Sequence, residues 1–216
     1  DDNAMCVNAA RSTALANADA ILMVGGRFNW VFQFGRAPRF APDVRIAQID
    51  IVAEEMYSSA DVEVGLVADC TLAVEAVNES LRGRALRVAS SDWYSKLRED
   101  CDKNEAGLAE QMNSDATPIN HHRLLRDLRD ALPRDVTVAV DGELTMGVAR
   151  ALMPSYNPRY LLNSGTTGCM GTGVPYAIGA KLAVPEVPSV ALVGDYAFGT
   201  AAAEVETCAR VGANVV

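Results

Sequence analysis

The strongest chemical signal in the sequence is a carboxylate that directly follows a short apolar run. Residues 189–193 read SVALV, and Gly194 and Asp195 come immediately after them. In a parallel sheet, ligands bind beyond the carboxyl ends of the strands, and a carboxylate there can hold Mg²⁺ while phosphate oxygens complete its coordination. The alternative is that Asp195 only caps the helix that follows. These residues alone support both interpretations equally.

A second signal is a cluster of glycines. Within nine residues the chain has Gly165, Gly168, Gly171 and Gly173. Glycines lack side chains, so backbone N–H groups in such a segment can approach a ligand closely. The spacing matches neither the GxGxxG of dinucleotide-binding folds nor the GxxxxGK[ST] of phosphate-binding loops. The alternative is a tightly packed crossover between a strand and a helix.

Other candidates for catalysis or metal binding are weaker. His121 and His122 are adjacent near a predicted helix start. This position favours surface residues over a role in acid–base catalysis. The five cysteines are odd in number, far apart and without a CxxC pair, at positions 6, 70, 101, 169 and 208. A disulfide framework or a zinc site would need closer spacing. We therefore expect reduced cysteines in the core or in loops, in a reducing compartment.

The elements that must position these residues alternate between helices and short apolar strands, which predicts parallel α/β layering. In the first part, the pattern predicts strands over 20–24, 44–51 and 62–67 and helices over 7–18 and 69–82. These elements are expected to form part of a larger, six-stranded domain.

The second part begins at Thr117, a good N-cap with proline at the first helical position. Strands are expected over 136–140 and 189–193, and helices near 145–153 and over 201–211. Residues 214–216 resemble the beginning of another strand, so the sequence is expected to be a piece of a longer protein. Between the two parts, residues 84–117 are charged and polar, which predicts a partly helical connection with solvated charges.

Composition and charge exclude several classes of partner. The chain has 216 residues, 50% of them hydrophobic, and a net charge of -9. This surplus of negative charge argues against nucleic acid or an anionic membrane as a partner. No apolar run is long enough to span a bilayer, and the first residues lack the basic start and apolar core of a signal peptide. A cytoplasmic location is therefore expected.

Two long segments resemble one enzyme family. Residues 163–195, NSGTTGCMGTGVPYAIGAKLAVPEVPSVALVGD, resemble the cofactor-binding domain of thiamine-diphosphate-dependent decarboxylases and lyases. Residues 25–51, GGRFNWVFQFGRAPRFAPDVRIAQIDI, are similar to the middle domain of 2-hydroxyacyl-CoA lyases and oxalyl-CoA decarboxylases. Acetolactate synthases, which are close relatives, have Arg-Phe-Asp-Asp where this chain has Arg-Phe-Asn-Trp at 27–30.

The resemblance implies a domain organisation. We expect two parallel-sheet, three-layer α/β domains: a nucleotide-binding-like middle domain over 1–84 and a domain for thiamine diphosphate and Mg²⁺ over 117–216. Residues 85–116 would connect them, and the second domain would be incomplete at its C-terminal end.

The resemblance also implies roles for individual residues in the second domain. Asp195 matches the aspartate that ties Mg²⁺ to the diphosphate; the usual partner asparagine would lie beyond residue 216. Met170 matches the large apolar residue that holds the cofactor bent, with core packing as the alternative. The other residues expected to bind the cofactor are Glu143, Leu144, Thr145, Gly168, Gly194, Tyr196 and Ala197.

Two of these residues depart from the family pattern. The family more often has Ala-Asn or Gln-His at the positions of Glu143 and Leu144, so a carboxylate beside phosphate is unexpected. Tyr196 replaces the usual glycine or serine and is bulkier.

Three further residues match positions that bind nucleotides in relatives. Arg150 matches an arginine directed at a phosphate of coenzyme A, with a solvated helix-face residue as the alternative. Arg27 and Asp50 match positions where oxalyl-CoA decarboxylases bind ADP, so ADP is a candidate ligand of the middle domain. A structural cap is the alternative for Asp50.

The activity implied by the resemblance is C–C bond cleavage in a 2-hydroxyacyl-CoA or oxalyl-CoA, with release of formyl-CoA. The alternatives are an acetolactate-synthase-like carboligase of 2-oxo acids and a non-catalytic nucleotide-binding relative. The family's general-acid glutamate belongs to an N-terminal domain outside this sequence, and its active sites form between subunits. We therefore expect the full-length protein to be a homodimer or tetramer, this piece alone to be inactive, and a peroxisomal location to be an option in a eukaryote.

Overall fold

The computed structural model describes residues 1–216, which form two compact units. One unit comprises residues 7–104, and the other comprises residues 1–6 and 105–216. The predicted connection, residues 85–116, is divided between the two units after residue 104. It contains the helices Asp92–Gly107 and Ala109–Met112. No helix combines the length and the apolar character needed to cross a bilayer.

The first unit is built on a three-stranded parallel sheet. Its strands β1 (Ala20–Val24), β2 (Arg45–Asp50) and β3 (Val62–Val67) lie in the order β1-β2-β3. Helix α1 (Arg11–Asn17) precedes the sheet, and α2 (Cys70–Ser80) follows it. The Asp69 carboxylate caps α2, because it accepts hydrogen bonds from the N–H groups of Thr71 and Leu72.

The core of this unit lies on one face of the sheet. Phe28 and Phe40 pack edge-to-face there, with ring centroids 5.9 Å apart, against Ile46 and Val62. Helix α3 (Asp92–Gly107) forms a smaller cluster in which Cys101 is buried. Short 3₁₀ turns complete the unit at Asn8–Ala10, Trp30–Gly35, Ala53–Glu55 and Val88–Ser90.

The second unit is also built on a three-stranded parallel sheet, in the order β5-β4-β6. The strands are β4 (Thr137–Asp141), β5 (Leu161–Leu162) and β6 (Ser189–Val193). Its helices are α4 (Ala109–Met112), α5 (His121–Ala131), α6 (Glu143–Leu152), α7 (Gly173–Ala183), α8 (Asp195–Ala201) and α9 (Glu204–Val211). Val215 pairs in parallel with Ser189, so residues 215–216 extend the sheet beyond β6.

Helices cover both faces of this second sheet. On one face, Leu125 of α5 and Val148 of α6 pack against Val138 and Val140 of β4. On the other face, Val174 and Ile178 of α7 form a cluster with residues of β6 and α9. β4 is buried along its whole length, as expected for the central strand of a three-layer α/β unit.

The predicted fold class, α/β with two parallel sheets, is confirmed, and the predicted strands are present. Two predicted helix boundaries are wrong. The helix predicted to start at Thr117 starts at His121, because the Asn120 side chain accepts from the Arg123 N–H and caps it there. The single helix predicted over 201–211 is two helices, α8 and α9, and α8 already begins at Asp195.

Candidate cofactor site

Three chain segments meet at the carboxyl edge of the second sheet. β4 ends at Asp141, β5 leads into the glycine-rich loop, and β6 ends just before Gly194. The Gly194 N–H donates to the Asp141 carbonyl oxygen at 3.0 Å. A Cβ on Gly142 would lie 3.3 Å from the Gly194 nitrogen, so the ends of β4 and β6 are in direct contact.

Two helices begin at this contact. α6 has Gly142 as its N-cap and α8 has Gly194, and no side chain caps either helix. The first N–H groups of a helix have no acceptor within the helix, and they carry its partial positive charge. Gly142 adopts φ +97°, a conformation that a residue with a side chain rarely adopts. The edge therefore presents two adjacent, uncapped helix N-termini, an arrangement suited to a phosphate group.

The third helix at this edge, α7, has the N–H of its first residue, Gly173, bonded to a side chain from β4. Asp141 is 1% exposed. Its Oδ2 accepts from the N–H groups of Gly171 and Gly173 at 2.8 and 2.9 Å, and its Oδ1 accepts from the Gly142 N–H at 2.8 Å. Three donors compensate the burial of this carboxylate, which would otherwise be costly.

The glycine-rich loop has polar groups that lack partners. The hydroxyls of Ser164 and Thr172 are buried and accept or donate no hydrogen bond. Between them, Gly168 adopts a left-handed conformation after the 3₁₀ turn Gly165–Thr167. Buried hydroxyls normally have a partner, so these two indicate that the loop is built to receive another group.

The structure brings most of the predicted cofactor residues together. Glu143, Leu144 and Thr145 form the first turn of α6, while Asp195, Tyr196 and Ala197 form the first turn of α8. Thr145 lies between the two N-caps, because a Cβ on Gly194 would be 3.3 Å from its Oγ1. Gly168 and Met170 lie on the neighbouring loop.

Several large apolar side chains on these helix ends and on the neighbouring loop are exposed. Met170 is 50% exposed and Tyr196 is 68% exposed, and Leu144 and Phe198 are exposed as well. Met170 therefore does not pack in the core of this unit. Exposed apolar side chains grouped around a polar site are typical of surfaces that bind a ligand or another chain.

Other predicted residues lie elsewhere. Arg150 is exposed in the last turn of α6, about 10 Å of helix rise from Glu143. His121 and His122 form the first turn of α5. No group of three or more His, Cys, Asp or Glu side chains is arranged to hold a metal ion, so Asp195 would be a single ligand from this chain. All five cysteines are free.

The first unit has its own group of polar residues at the carboxyl edge of its sheet. The Asp50 carboxylate is buried at the end of β2 and accepts from the Val52 N–H at 2.9 Å. Arg27 is exposed after β1 and pairs with Glu55 at 3.2 Å. Gln48 is 1% exposed; its Nε2 donates to the Gly26 carbonyl at 3.2 Å, while its Oε1 is buried without a partner.

Sequence reasoning missed Asp141, although a signal for it was present. The pair Asp141-Gly142 follows the apolar run VTVAV, just as Gly194-Asp195 follows SVALV. No functional role was predicted for this pair. Its long-range partners, 30 and 32 residues away, are not visible in the sequence.

Comparisons with known proteins assign both units to one kind of enzyme. Residues 2–77 match the family model "Thiamine pyrophosphate enzyme, central domain", and residues 140–216 match "Thiamine pyrophosphate enzyme, C-terminal TPP binding domain". Among curated relatives, 2-hydroxyacyl-CoA lyase 1 of Homo sapiens is 35% identical over the whole of this chain. Oxalyl-CoA decarboxylase of Escherichia coli is 34% identical over 97% of it. The chain spans 38% and 37% of the length of these two relatives.

Proposed function

Since this chain belongs to the thiamine pyrophosphate enzyme family, we propose that the intact protein is a thiamine-diphosphate- and Mg²⁺-dependent lyase. Its proposed reaction is cleavage of a C–C bond in a 2-hydroxyacyl-CoA or in oxalyl-CoA, with release of formyl-CoA. The names of the relatives, 2-hydroxyacyl-CoA lyase and oxalyl-CoA decarboxylase, support this substrate class.

The observation that carries the proposal is the pair of uncapped helix N-termini at the contact between Gly142 and Gly194. These residues fit a diphosphate, because backbone N–H groups from α6 and α8 can bind its oxygens, with the small Thr145 hydroxyl as the neighbouring side chain. Asp195 would contribute one carboxylate oxygen to Mg²⁺, whose remaining ligands would be phosphate, water and groups outside this chain.

The chain's own residues prepare this edge for the cofactor. When bound, thiamine diphosphate supplies the nucleophilic carbon and the electron sink that C–C cleavage requires. We expect Met170 to contact its apolar part, and the bound cofactor to cover the exposed side chains of Leu144 and Tyr196, so that water leaves the region between the helices. Excluding water strengthens each electrostatic interaction made there.

We further propose that the first unit binds a nucleotide such as ADP. The buried, unpartnered Oε1 of Gln48 supports this, because it leaves an acceptor free near Asp50 and Arg27. This site keeps open the alternative that the protein is a non-catalytic nucleotide-binding relative. Glu143 also favours that alternative, since its carboxylate lies in the first turn of α6, where the diphosphate would bind.

The proposed context of the intact protein follows the family. It would assemble as a homodimer or tetramer and work in the cytoplasm, or in peroxisomes of a eukaryote. An acetolactate-synthase-like carboligase of 2-oxo acids is the remaining alternative within the family. Comparing the rates at which the intact protein converts an acyl-CoA substrate and pyruvate distinguishes the two.

The metal site provides the direct test. We would titrate the intact protein with thiamine diphosphate, with and without Mg²⁺, and follow formyl-CoA formation. Asp195→Asn should abolish the Mg²⁺-dependent part of the affinity, whereas Glu204→Gln, an acidic first-turn residue of the next helix, should leave it unchanged. Equal affinities for Asp195→Asn and the unmodified protein would refute the proposed function at this site.

A further inference from the structure

We propose that Asp141 is the positioning residue of the cofactor site. It fixes the glycine-rich loop against the end of β4, beside the first turn of α6. This inference rests on the proposed function for the identity of the ligand. The role of Asp141 in holding the loop rests on the geometry alone.

Asp141 bonds to all three segments that form the edge. Its side chain accepts from Gly142 on the β4–α6 turn and from Gly171 and Gly173 on the glycine-rich loop, and its carbonyl accepts from Gly194 before α8. Asp141 therefore links the turn before α6, the glycine-rich loop and the end of β6, in addition to the strand pairing of the sheet.

The carboxylate also occupies the anion position of α7. Gly173 is the first residue of α7, and no side chain of its N-cap, Thr172, caps that helix. The Asp141 oxygen on the Gly173 N–H, together with its negative charge, does so from the neighbouring strand. The positive end of α7 therefore already faces an anion from within the fold, while the N-caps of α6 and α8 are glycines without a capping side chain.

Loss of one carboxylate oxygen should disturb the loop. In Asp141→Asn one oxygen becomes an NH₂ group, which faces either the Gly142 N–H or the N–H groups of Gly171 and Gly173. Donors would then face donors, and at least one buried N–H would lose its acceptor. The loop carrying Met170 and the Ser164 and Thr172 hydroxyls would no longer be held against β4.

The test uses Asp141→Asn in the intact protein, with Asp135→Asn as the matched control. Asp135 lies just before β4, at the opposite end of the strand, and accepts only from the exposed Asn157 side chain at 3.1 Å. At a temperature well below the melting temperature of the variant, we expect thiamine diphosphate to bind Asp141→Asn at least about tenfold more weakly than it binds the unmodified protein. Hydrogen–deuterium exchange should increase in peptides covering 163–174, and Asp135→Asn should change neither quantity.

Each outcome has a distinct meaning. A purely structural role would lower the melting temperature and leave the affinity of the folded variant unchanged, and that result overturns the proposal. Unchanged exchange over 163–174 overturns it too. If the unmodified protein does not bind thiamine diphosphate, the proposed function fails, and exchange alone decides whether Asp141 holds the loop. Should Asp141→Asn not fold, Asp141→Ser, which keeps one acceptor oxygen, provides the same comparison.

Discussion

Gly173 is the position where a single methyl group should disturb this site most. It is the first residue of α7 and lies between the ends of β4 and β6. A Cβ added there would lie 2.4 Å from Cγ1 of Val193 and 2.8 Å from Cβ of Asp141. Both distances are far below van der Waals contact, and neither neighbour is the flexible end of a long side chain. Gly173→Ala must therefore displace α7 from the sheet.

The same helix offers a matched control. Gly179 is also in α7, and a Cβ there would meet no atom within 4 Å. Alanine in a helix interior is favoured over glycine by about 0.5–1 kcal/mol, so Gly179→Ala should stabilise the protein by that amount. Overpacking a close contact costs about 1–3 kcal/mol. The two variants should therefore change the free energy of unfolding in opposite directions and differ from each other by about 1.5–4 kcal/mol.

Chemical denaturation followed by circular dichroism measures both effects, and a titration with thiamine diphosphate follows the consequence for the site. We expect Gly173→Ala to unfold at lower denaturant concentration and to bind the cofactor more weakly, because Asp141 moves with the displaced helix end. If Gly173→Ala is as stable as Gly179→Ala, the close packing of α7 against β4 and β6 is refuted.

Three further predictions concern charged residues. Glu143→Gln should strengthen thiamine diphosphate binding about two- to tenfold at low salt, with a smaller gain as salt rises, because it removes a carboxylate beside the diphosphate; weaker binding would contradict this. Arg150→Ala should raise the KM for an acyl-CoA substrate and leave the affinity for thiamine diphosphate unchanged, and an unchanged KM would assign Arg150 to the solvated surface. Hydrogen bonds from Arg123, and then from Arg126, hold the pKa of Asp127 below its ordinary value, so they stabilise the fold above about pH 4 and cease to do so as the pH falls through the lowered pKa. Urea unfolding should therefore show Arg123→Gln as less stable at pH 7, with a smaller difference once the pH has fallen through the lowered pKa of Asp127.

Five of the six strands could be predicted from the sequence because each contains a short apolar run with clear ends, whereas β5, which has only two residues, was not predicted. Ala20–Val24 is followed by two glycines, and Ser189–Val193 is followed by Gly194, so the predicted and observed bounds agree. Helix ends were harder, since several residues near a start can cap. Thr117 and Asn120 are both good caps, and only the hydrogen bond from the Arg123 N–H to Asn120 decides between them.

The site could be predicted in part. Residues whose role depends on local sequence were predicted, and a residue whose role depends on contacts distant in sequence was not. Residues that follow a strand directly, such as Asp195, were found because parallel strands bring their carboxyl ends to one edge. α8 was not predicted, since the helix was expected to begin at residue 201, and the segment before it contains Gly199, which disfavours helix. Asp141 was missed for a different reason. Its role depends on N–H groups of Gly171 and Gly173, and no local pattern shows that a loop 30 residues away will fold onto it.

Three helices begin at the carboxyl edge of the second sheet, and they are not equivalent. The Asp141 carboxylate accepts from the first N–H of α7, so an anion from within the fold already lies at the start of that helix. α6 and α8 begin at glycines that touch each other, so their uncapped ends act on the same small volume. A ligand with two linked phosphates matches two adjacent helix ends better than a single phosphate does, because each phosphate can take the N–H groups of one helix. Asp195, in the first turn of α8, can then offset the added negative charge only through a bound cation, which is the physical reason to expect diphosphate and Mg²⁺ to bind together.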